Sequence, residues 1–425
     1  MSETLDRVKP YIRKHFELSK KRNFVPGKTR IPLTVPTYDS EEVEEALDSL
    51  LSTWVSMGKK VAKFEEMFAS YMGSKHAVMV NSGSSANLLA LSVLTNTKLP
   101  DAIKPGDEII TPAVTWATTV YPIANVGCIP VLVDVDLETF NVLPEEVEKA
   151  VTNNTRALMP VHLLGNPCEI GPIAKTADDH GLFLIEDACE STGAEYGGKK
   201  VGTIGDMGTF SFYMSHHIST IEGGMVITDN DDYFEYLKAM RAFGWVRDLK
   251  NKEELSKVNP GVDPRFLFVT HGYNLRPTEL QGAFGIHQMK KLDRFIGLRR
   301  RNAQYWNRKL QQFEDLLILP KDRPGARHVY FGYPLTVRDD APFGRESLVM
   351  FLEKKGVETR PIMAGNIEEQ PVMIQLQHRT VGELQNSKSI MRRSFFFGNH
   401  SGMGEQEREF IADSLVSFLS SMSKR

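Results

Sequence analysis

Residues 76–94, HAVMVNSGSSANLLALSVL, contain the pattern that decides the fold. An apolar run at residues 76–81 ends in a loop of small residues, and a helical run follows from Ala86. A strand that leads through a short loop into a helix is the unit from which parallel α/β sheets are built. The stretch therefore predicts one βα unit.

Six further runs resemble this strand and are separated by helical or turn-rich sequence. They span residues 108–111, 129–133, 157–160, 183–185, 209–212 and 225–228. The alternation predicts an α/β fold with a mainly parallel central sheet. Most gaps accommodate a crossover helix, such as residues 86–94 and 144–151. The last two runs are too close for a crossover helix, so we expect a functional loop between them.

The chain divides into three predicted parts. Residues 1–30 form an N-terminal basic helical segment, residues 31–290 a large domain, and residues 291–425 a small C-terminal α/β domain. The patterns around the small domain indicate helices at 280–313, 344–355 and about 406–422, and a strand at 329–337. Residues 248–268 are polar and contain Pro and Gly, so they are expected to form a loop, either mobile or inserted beside the active site.

Composition and charge exclude several classes of protein. The 425 residues include 51 Lys and Arg against 54 Asp and Glu, and the net charge of −3 offers no footprint for nucleic acid. No run approaches the roughly 20 apolar residues that span a bilayer. We therefore expect a cytoplasmic protein that binds neither nucleic acid nor membranes. Three cysteines, Cys128, Cys168 and Cys189, are too few for a disulfide framework, and no metal site is predicted.

Two loops at predicted strand ends are candidates for ligand binding. Ser84 and Ser85 lie where a helix N-terminus offers backbone N–H groups to a phosphate, although an N-cap without a ligand is an equally common use of such serines. Asp187, followed by Glu190, ends an apolar strand and points toward the crevice where open α/β sheets bind ligands. An aspartate in this place also often only caps a turn.

A serine-aromatic strand, GTFSFYMSHH at residues 208–217, precedes the acidic step Glu222-Gly223-Gly224. Together with the Asp187 strand, this combination resembles the DegT/DnrJ/EryC1/StrS sugar aminotransferases, which are fold type I (aspartate aminotransferase-like) enzymes dependent on pyridoxal 5′-phosphate (PLP). The segments WVSMG at 54–58, PVHLLG at 160–165 and GYNLRPTELQ at 272–281 also carry the resemblance. It extends from about Pro32 to the C-terminus.

The resemblance implies roles for individual residues. Ser84, Ser85 and Ser211 would bind the phosphate of the cofactor. Asp187 would pair with the pyridinium nitrogen, and Trp116 would stack on the ring. Glu190 stands where the family usually has His or Gln near the ring hydroxyl. Asn274 would reach the phosphate in the partner subunit, which implies a homodimer with shared active sites.

His216 departs from the aminotransferase pattern. It lies six positions before Glu222, where the aminotransferases have the lysine that binds the cofactor covalently. Imidazole forms no stable Schiff base, so PLP would be held non-covalently. His216 is a structural residue in a protein without catalysis, a chance substitution in an aminotransferase, or a purposeful base. Residues 211–224, and 364–367 with Gln370-Pro371, resemble the NDP-4-keto-6-deoxyhexose 3-dehydratase branch, which favours a base.

The branch implies a reaction and two subtypes. The pyridoxamine form (PMP) would condense with the C4 ketone of the sugar, and His216, titrating near neutrality, would move the proton that accompanies loss of the C3 hydroxyl. One subtype holds a [2Fe–2S] cluster with four cysteines, whereas this chain has three and none after Cys189. The chain is therefore similar to the cluster-free, colitose-pathway type.

That type takes its amino group from L-glutamate, and its expected substrate is GDP-4-keto-6-deoxymannose, in dideoxysugar biosynthesis for lipopolysaccharide O-antigen. A nucleotide-sugar aminotransferase and a catalytically silent PLP-fold binding protein remain as alternatives. Arg247 and Arg360 are candidates for contact with the substrate diphosphate, and His217 for orienting the loop of His216.

Overall fold

The computed structural model describes residues 3–19 and 24–422. Its helices are α1 (Glu3–Ser19), α2 (Ser40–Leu51), α3 (Lys59–Met72), α4 (Gly83–Leu94), α5 (Ala117–Asn125), α6 (Pro144–Ala150), α7 (Ile170–His180), α8 (Asp231–Arg241), α9 (Lys252–Val258), α10 (Glu279–Leu310), α11 (Arg345–Lys354), α12 (Gln385–Arg393) and α13 (Glu405–Met422). Among these described residues, no helix combines the length and apolar character needed to cross a membrane.

The strands are β1 (His76–Val80), β2 (Glu108–Pro112), β3 (Ile129–Val133), β4 (Thr155–Leu158), β5 (Phe183–Asp187), β6 (Glu195–Tyr196), β7 (Lys199–Lys200), β8 (Met207–Ser211), β9 (Gly224–Thr228), β10 (Leu317–Ile318), β11 (Ala326–Arg327), β12 (Gly332–Val337), β13 (Thr359–Pro361), β14 (Arg379–Thr380) and β15 (Ser394–Gly398). All seven predicted runs of the central sheet are strands. The fourth and sixth begin two residues earlier than predicted.

The central sheet has eight strands in the order β1-β9-β8-β5-β4-β2-β3-β14. Every neighbouring pair from β8 to β14 is parallel, whereas β9 runs antiparallel to both β1 and β8. The predicted mainly parallel sheet is therefore confirmed. Because β8 and β9 are antiparallel neighbours, no crossover helix is needed between them, and residues 212–223 form the loop that connects them.

Strand β1 shows how the sheet is buried on both faces. Val78 and Val80 pack into the cluster formed with α4, whereas Ala77 and Met79 pack into the cluster formed with α3 and α10. Successive side chains of a strand point to opposite faces, so a run of consecutive apolar residues is what a doubly covered sheet requires. Because most strands of the sheet are parallel, their carboxyl ends lie along one edge, and the polar residues at those ends lie there together.

The small antiparallel sheet, in the order β10-β12-β15-β13, packs against α11, α13 and the C-terminal half of α10. Trp306 of α10 is fully buried and lies edge-on to Tyr333 and Phe397, with ring centroids 5.0 Å from each. Helix α10 is continuous across residues 290 and 291, the predicted domain boundary. Division of the chain at that point stays a prediction.

Residues 248–268 differ from the predicted loop. They contain the two-turn helix α9 and a 3-10 turn at Pro264–Phe266. Four of the seven residues of α9 are charged and none of its residues is buried, although Leu255 packs against a small apolar cluster. Leu255 and Val258 are its only apolar residues, and two positions in a seven-residue helix are too few for sequence patterning to detect.

Candidate active site

A cavity of about 380 Å³ opens where β5 and β8 end and where α4 and α5 begin. Six of the eight predicted site residues line it, namely Ser84, Trp116, Asp187, Glu190, Ser211 and His216. Phe331, Met363 and Phe396 close it from the side of the small antiparallel sheet. The predicted site residues Ser85 and Asn274 are not among the lining residues.

The serine loop caps helix α4 and also faces the cavity. Ser82 is the N-cap of α4: its side chain accepts from the amide of Ser85 at 3.1 Å and donates to the Ser85 hydroxyl at 3.0 Å. Ser85 thus serves the helix cap. Ser84 is exposed to the cavity and donates to the hydroxyl of Thr118 at 2.9 Å. The α4 N-terminus and the hydroxyls of Ser84 and Thr118 therefore face the cavity together. This arrangement favours the binding of an anion.

Two glycines permit close contact between the serine loop and the neighbouring strands. A Cβ at Gly83 would lie 2.5 Å from the Cβ of Ser211, and a Cβ at Gly224 would overlap the carbonyl of Ser82. Only a residue without a side chain allows these backbones to approach so closely. Gly224 of the Glu-Gly-Gly step is therefore required by packing at the edge of the site.

Asp187 is 4% exposed and is held by three donors. Its Oδ2 accepts from Asn87 Nδ2 at 2.9 Å and from Thr119 Oγ1 at 2.8 Å, and its Oδ1 accepts from the Cys189 amide at 3.1 Å. All three hydrogen bonds to the carboxylate come from donors, which stabilise a negative charge there. Asn87 and Thr119 were not predicted as site residues; their polar side chains in the first turns of apolar helices were the available indication.

Glu190 has a different environment. Its Oε2 accepts a single hydrogen bond, from the Leu164 amide at 2.7 Å. Burial raises the pKa of Glu190 to about 8, the negative charge of Asp187 adds to the rise, and the Leu164 amide opposes it. A carboxyl group in such surroundings holds its proton near neutral pH.

His216 is in the β8–β9 loop, in a turn closed by its amide and the Tyr213 carbonyl at 2.9 Å. Its ring lies edge-on to Phe331, with centroids 5.1 Å apart. Burial and, second, the charge of Arg299 lower the pKa of His216 to about 3. The expectation that His216 titrates near neutrality is therefore wrong, because burial and a neighbouring cation both disfavour the imidazolium. At neutral pH the ring is an unprotonated base.

Arg299 fixes the wall behind His216. It is 2% exposed, and its guanidinium donates to the carbonyls of Phe331 and Asn399, each at 2.6 Å, and of His216 at 3.4 Å. His217, unlike the partly buried His216, is fully buried, and its Nε2 lies 3.1 Å from the Val329 carbonyl. His217 is therefore outside the cavity lining and ties the loop to the segment that precedes Phe331.

The remaining candidates lie apart from the cavity. Asn274 is exposed, and its Oδ1 accepts from Arg276 at 3.0 Å. Arg360 pairs with Glu358 at 2.7 Å. Arg247 stacks on Trp245 and lines a second, wide cavity together with residues of α9. The contacts that we expect of these residues with a phosphate or diphosphate stay predictions.

The comparisons with known proteins agree with this geometry. The sequence matches the DegT/DnrJ/EryC1/StrS aminotransferase family over residues 36–416, and the chain belongs to this family. The GDP-4-keto-6-deoxy-D-mannose 3-dehydratase of Escherichia coli O55:H7 is 40% identical over 372 residues, which are 87% of this chain and 95% of that protein. The dTDP-4-dehydro-2,6-dideoxy-D-glucose 3-dehydratase of Saccharopolyspora spinosa is 37% identical over 431 residues, 98% of this chain and 93% of that protein.

A similar solved structure is that of a GDP-4-keto-6-deoxymannose-3-dehydratase with a trapped PLP-glutamate geminal diamine. The TM-score is 0.85 at 38% sequence identity, and the match covers 90% of this chain and 99% of that one. The predicted family and the aminotransferase-like fold class are therefore confirmed.

Proposed function

We propose that this protein is a PLP- and PMP-dependent 3-dehydratase that removes the C3 hydroxyl of an NDP-4-keto-6-deoxyhexose. Its substrate is GDP-4-keto-6-deoxymannose, and L-glutamate is the amino donor. The observation that carries the proposal is that His216 lines the cavity, whereas no lysine is among the described lining residues. The relative named as a GDP-4-keto-6-deoxy-D-mannose 3-dehydratase, at 40% identity, supports the reaction and the substrate, and the relative named as a dTDP-sugar 3-dehydratase, at 37% identity, supports the reaction.

The residues of the cavity fit PLP. The N-terminus of α4 with Ser84 and Ser211 is suited to a phosphate, Asp187 to a pyridinium nitrogen, and the Trp116 ring, 59% exposed, to an aromatic face. Bound PLP supplies an electron sink and, in its amino form, the nitrogen that condenses with a ketone. A similar solved structure contains PLP together with glutamate.

His216 is the base of the proposed reaction. Its Nδ1 lies 3.4 Å from the Ser215 hydroxyl, so Nε2 would be the nitrogen that moves the proton required for loss of the C3 hydroxyl. Its lowered pKa keeps the ring unprotonated before the reaction and makes its conjugate acid a ready proton donor. Without a lysine, nothing in the described lining binds the cofactor covalently, so dehydration is favoured over amination.

Product analysis tests this function. Purified protein with PLP, L-glutamate and GDP-4-keto-6-deoxymannose is expected to release one ammonia for each deoxygenated sugar. An amino sugar without ammonia would support an aminotransferase, and cofactor binding without turnover a binding protein. The corresponding dTDP-sugar, assayed in parallel, tests whether the enzyme requires the GDP moiety of its substrate.

A His216→Lys variant tests the base. We expect borohydride to fix the cofactor covalently to this variant and not to the wild type, with loss of ammonia release. His216→Asn serves as a matched control that lacks both the base and the amine. Ammonia release at the wild-type rate by either variant would remove His216 from the mechanism.

A further inference from the structure

Two carboxyl groups enter the cavity from the same strand end. Asp187 is the last residue of β5, and Glu190 follows three positions later. Asp187 accepts from two side chains and one backbone amide, whereas Glu190 accepts from the Leu164 amide alone. Hydrogen bonds from donors stabilise a buried negative charge, so the two groups differ strongly in their ability to carry one.

The surroundings of Glu190 widen this difference. Val161 and Leu163 line the cavity as apolar wall, and no lysine or arginine is among its described lining residues. A second carboxylate beside Asp187 would be repelled by the first and would lack a counter-ion. When two carboxyl groups share one site, the group with fewer donors keeps the proton.

The other titratable groups that line the cavity do not offset this arrangement. Burial and the charge of Asp187 raise the pKa of the Cys189 thiol, and His216 is unprotonated, so neither supplies a positive charge. Glu222, at the end of the β8–β9 loop, is a further acidic group on the lining, and Tyr213 is a phenol, so neither side chain adds a positive charge. These neighbours agree with the raised pKa of about 8 for Glu190.

We propose that Glu190 acts as a neutral carboxylic acid that donates a hydrogen bond to an anionic oxygen of the bound cofactor, while Asp187 is the anion of the site. The oxygen is of the phenolate class, which a carboxylate would repel. Since Oε2 accepts from Leu164, the proton resides on Oε1. This inference rests on the proposed function in that PLP occupies the cavity.

Matched amide substitutions separate the two roles. Glu190→Gln keeps a neutral group that donates and accepts, so its PLP dissociation constant at pH 7 is expected within about three-fold of wild type. Asp187→Asn removes the anion, and its constant is expected to rise at least about ten-fold. Titration of cofactor absorbance against protein measures both constants. A PLP dissociation constant about ten-fold or more above that of the wild type for Glu190→Gln would overturn the proposal.

The pH dependence provides a second test. In the wild type PLP affinity is expected to fall as the pH rises through about 8, because Glu190 then loses its proton. Glu190→Gln is expected to lack this fall, and the cofactor's own ionisations are common to both proteins. The same pH dependence in both proteins would contradict the inference.

Infrared spectroscopy of the full chain without cofactor separates this inference from the proposed function. The wild type minus Glu190→Gln difference spectrum is expected to show a protonated carboxyl band at pH 6.5 that disappears above about pH 9. Its absence at pH 6.5 would refute a neutral Glu190. Failure of the wild type to bind PLP would refute the proposed function, and the infrared band would still decide the protonation of Glu190.

Discussion

The amide of Asn87 and the carboxylate of Asp187, 100 residues apart in the chain, are joined by a hydrogen bond of 2.9 Å. Asn87 is oriented in turn by the hydroxyl of Thr209, which donates to its Oδ1 at 2.6 Å. Helix α4 and strands β5 and β8 therefore share one polar connection at the base of the cavity. This connection holds the anion of the site in place.

Asn87→Ala is expected to weaken PLP binding about ten-fold or more. The substitution removes one of the three donors to Asp187, and a hydrogen bond to a charged group contributes roughly 1.5–3 kcal/mol. Cofactor absorbance titration measures the change. Asn153→Ala, at an exposed asparagine before β4, is the control and should bind PLP as the wild type does. Equal affinity for both variants would show that Asn87 does not support the anion.

Gly224→Ala is expected to destabilise the fold by roughly 1–3 kcal/mol and to weaken PLP binding. The added methyl group would overlap the Ser82 carbonyl and displace the serine loop. Gly261→Ala is a matched control, since no heavy atom lies within 4 Å of the position that its added methyl group would take. Urea unfolding of both variants measures the difference, and similar stabilities would contradict the packing argument.

Acid is expected to destabilise the protein below about pH 6.5. Burial and the Arg299 charge lower the pKa of His400 to about 4, against about 6.5 in an unfolded chain. The unfolded chain therefore binds more protons between these values, and the free energy of unfolding falls as the pH falls. His400→Leu should reduce this loss, by on the order of 3 kcal/mol at pH 4.

Thermal unfolding from pH 8 to pH 4 measures this effect. His271→Leu, at an exposed histidine, is the control and should leave the acid dependence unchanged. If His400→Leu and the wild type lost stability in parallel, His400 would not be a neutral group in the folded protein.

Mixed dimers test the predicted role of Asn274. We expect His216→Asn and Asn274→Ala each to be weakly active alone, and a mixture of the two, unfolded and refolded together, to recover part of the wild-type rate. Recovery follows because a mixed dimer has one site with neither substitution when Asn274 serves the partner. No recovery above the sum of the separate proteins would place Asn274 in its own subunit's site.

Local patterns identified most of the fold. The apolar runs of the central sheet correspond to strands because a doubly covered parallel sheet needs consecutive apolar residues. Helix α9 was missed because its seven residues include only two apolar ones, and Ser85 proved to serve the cap of α4. The donors to Asp187 were missed because they meet it only when α4, α5 and β5 converge.

The amino-acid sequence by itself determined the α/β fold, the family and the replacement of lysine by His216, since these depend on residue identity and short-range periodicity. Tertiary structure alone decided which groups carry charge. Asp187 and Glu190 are three residues apart, yet one is held by three donors and the other by one. Desolvation in the cavity wall and the charge of Arg299 lower the pKa of His216 and keep its ring unprotonated. Burial, donors and neighbouring charges come from distant parts of the chain, and folding brings them together.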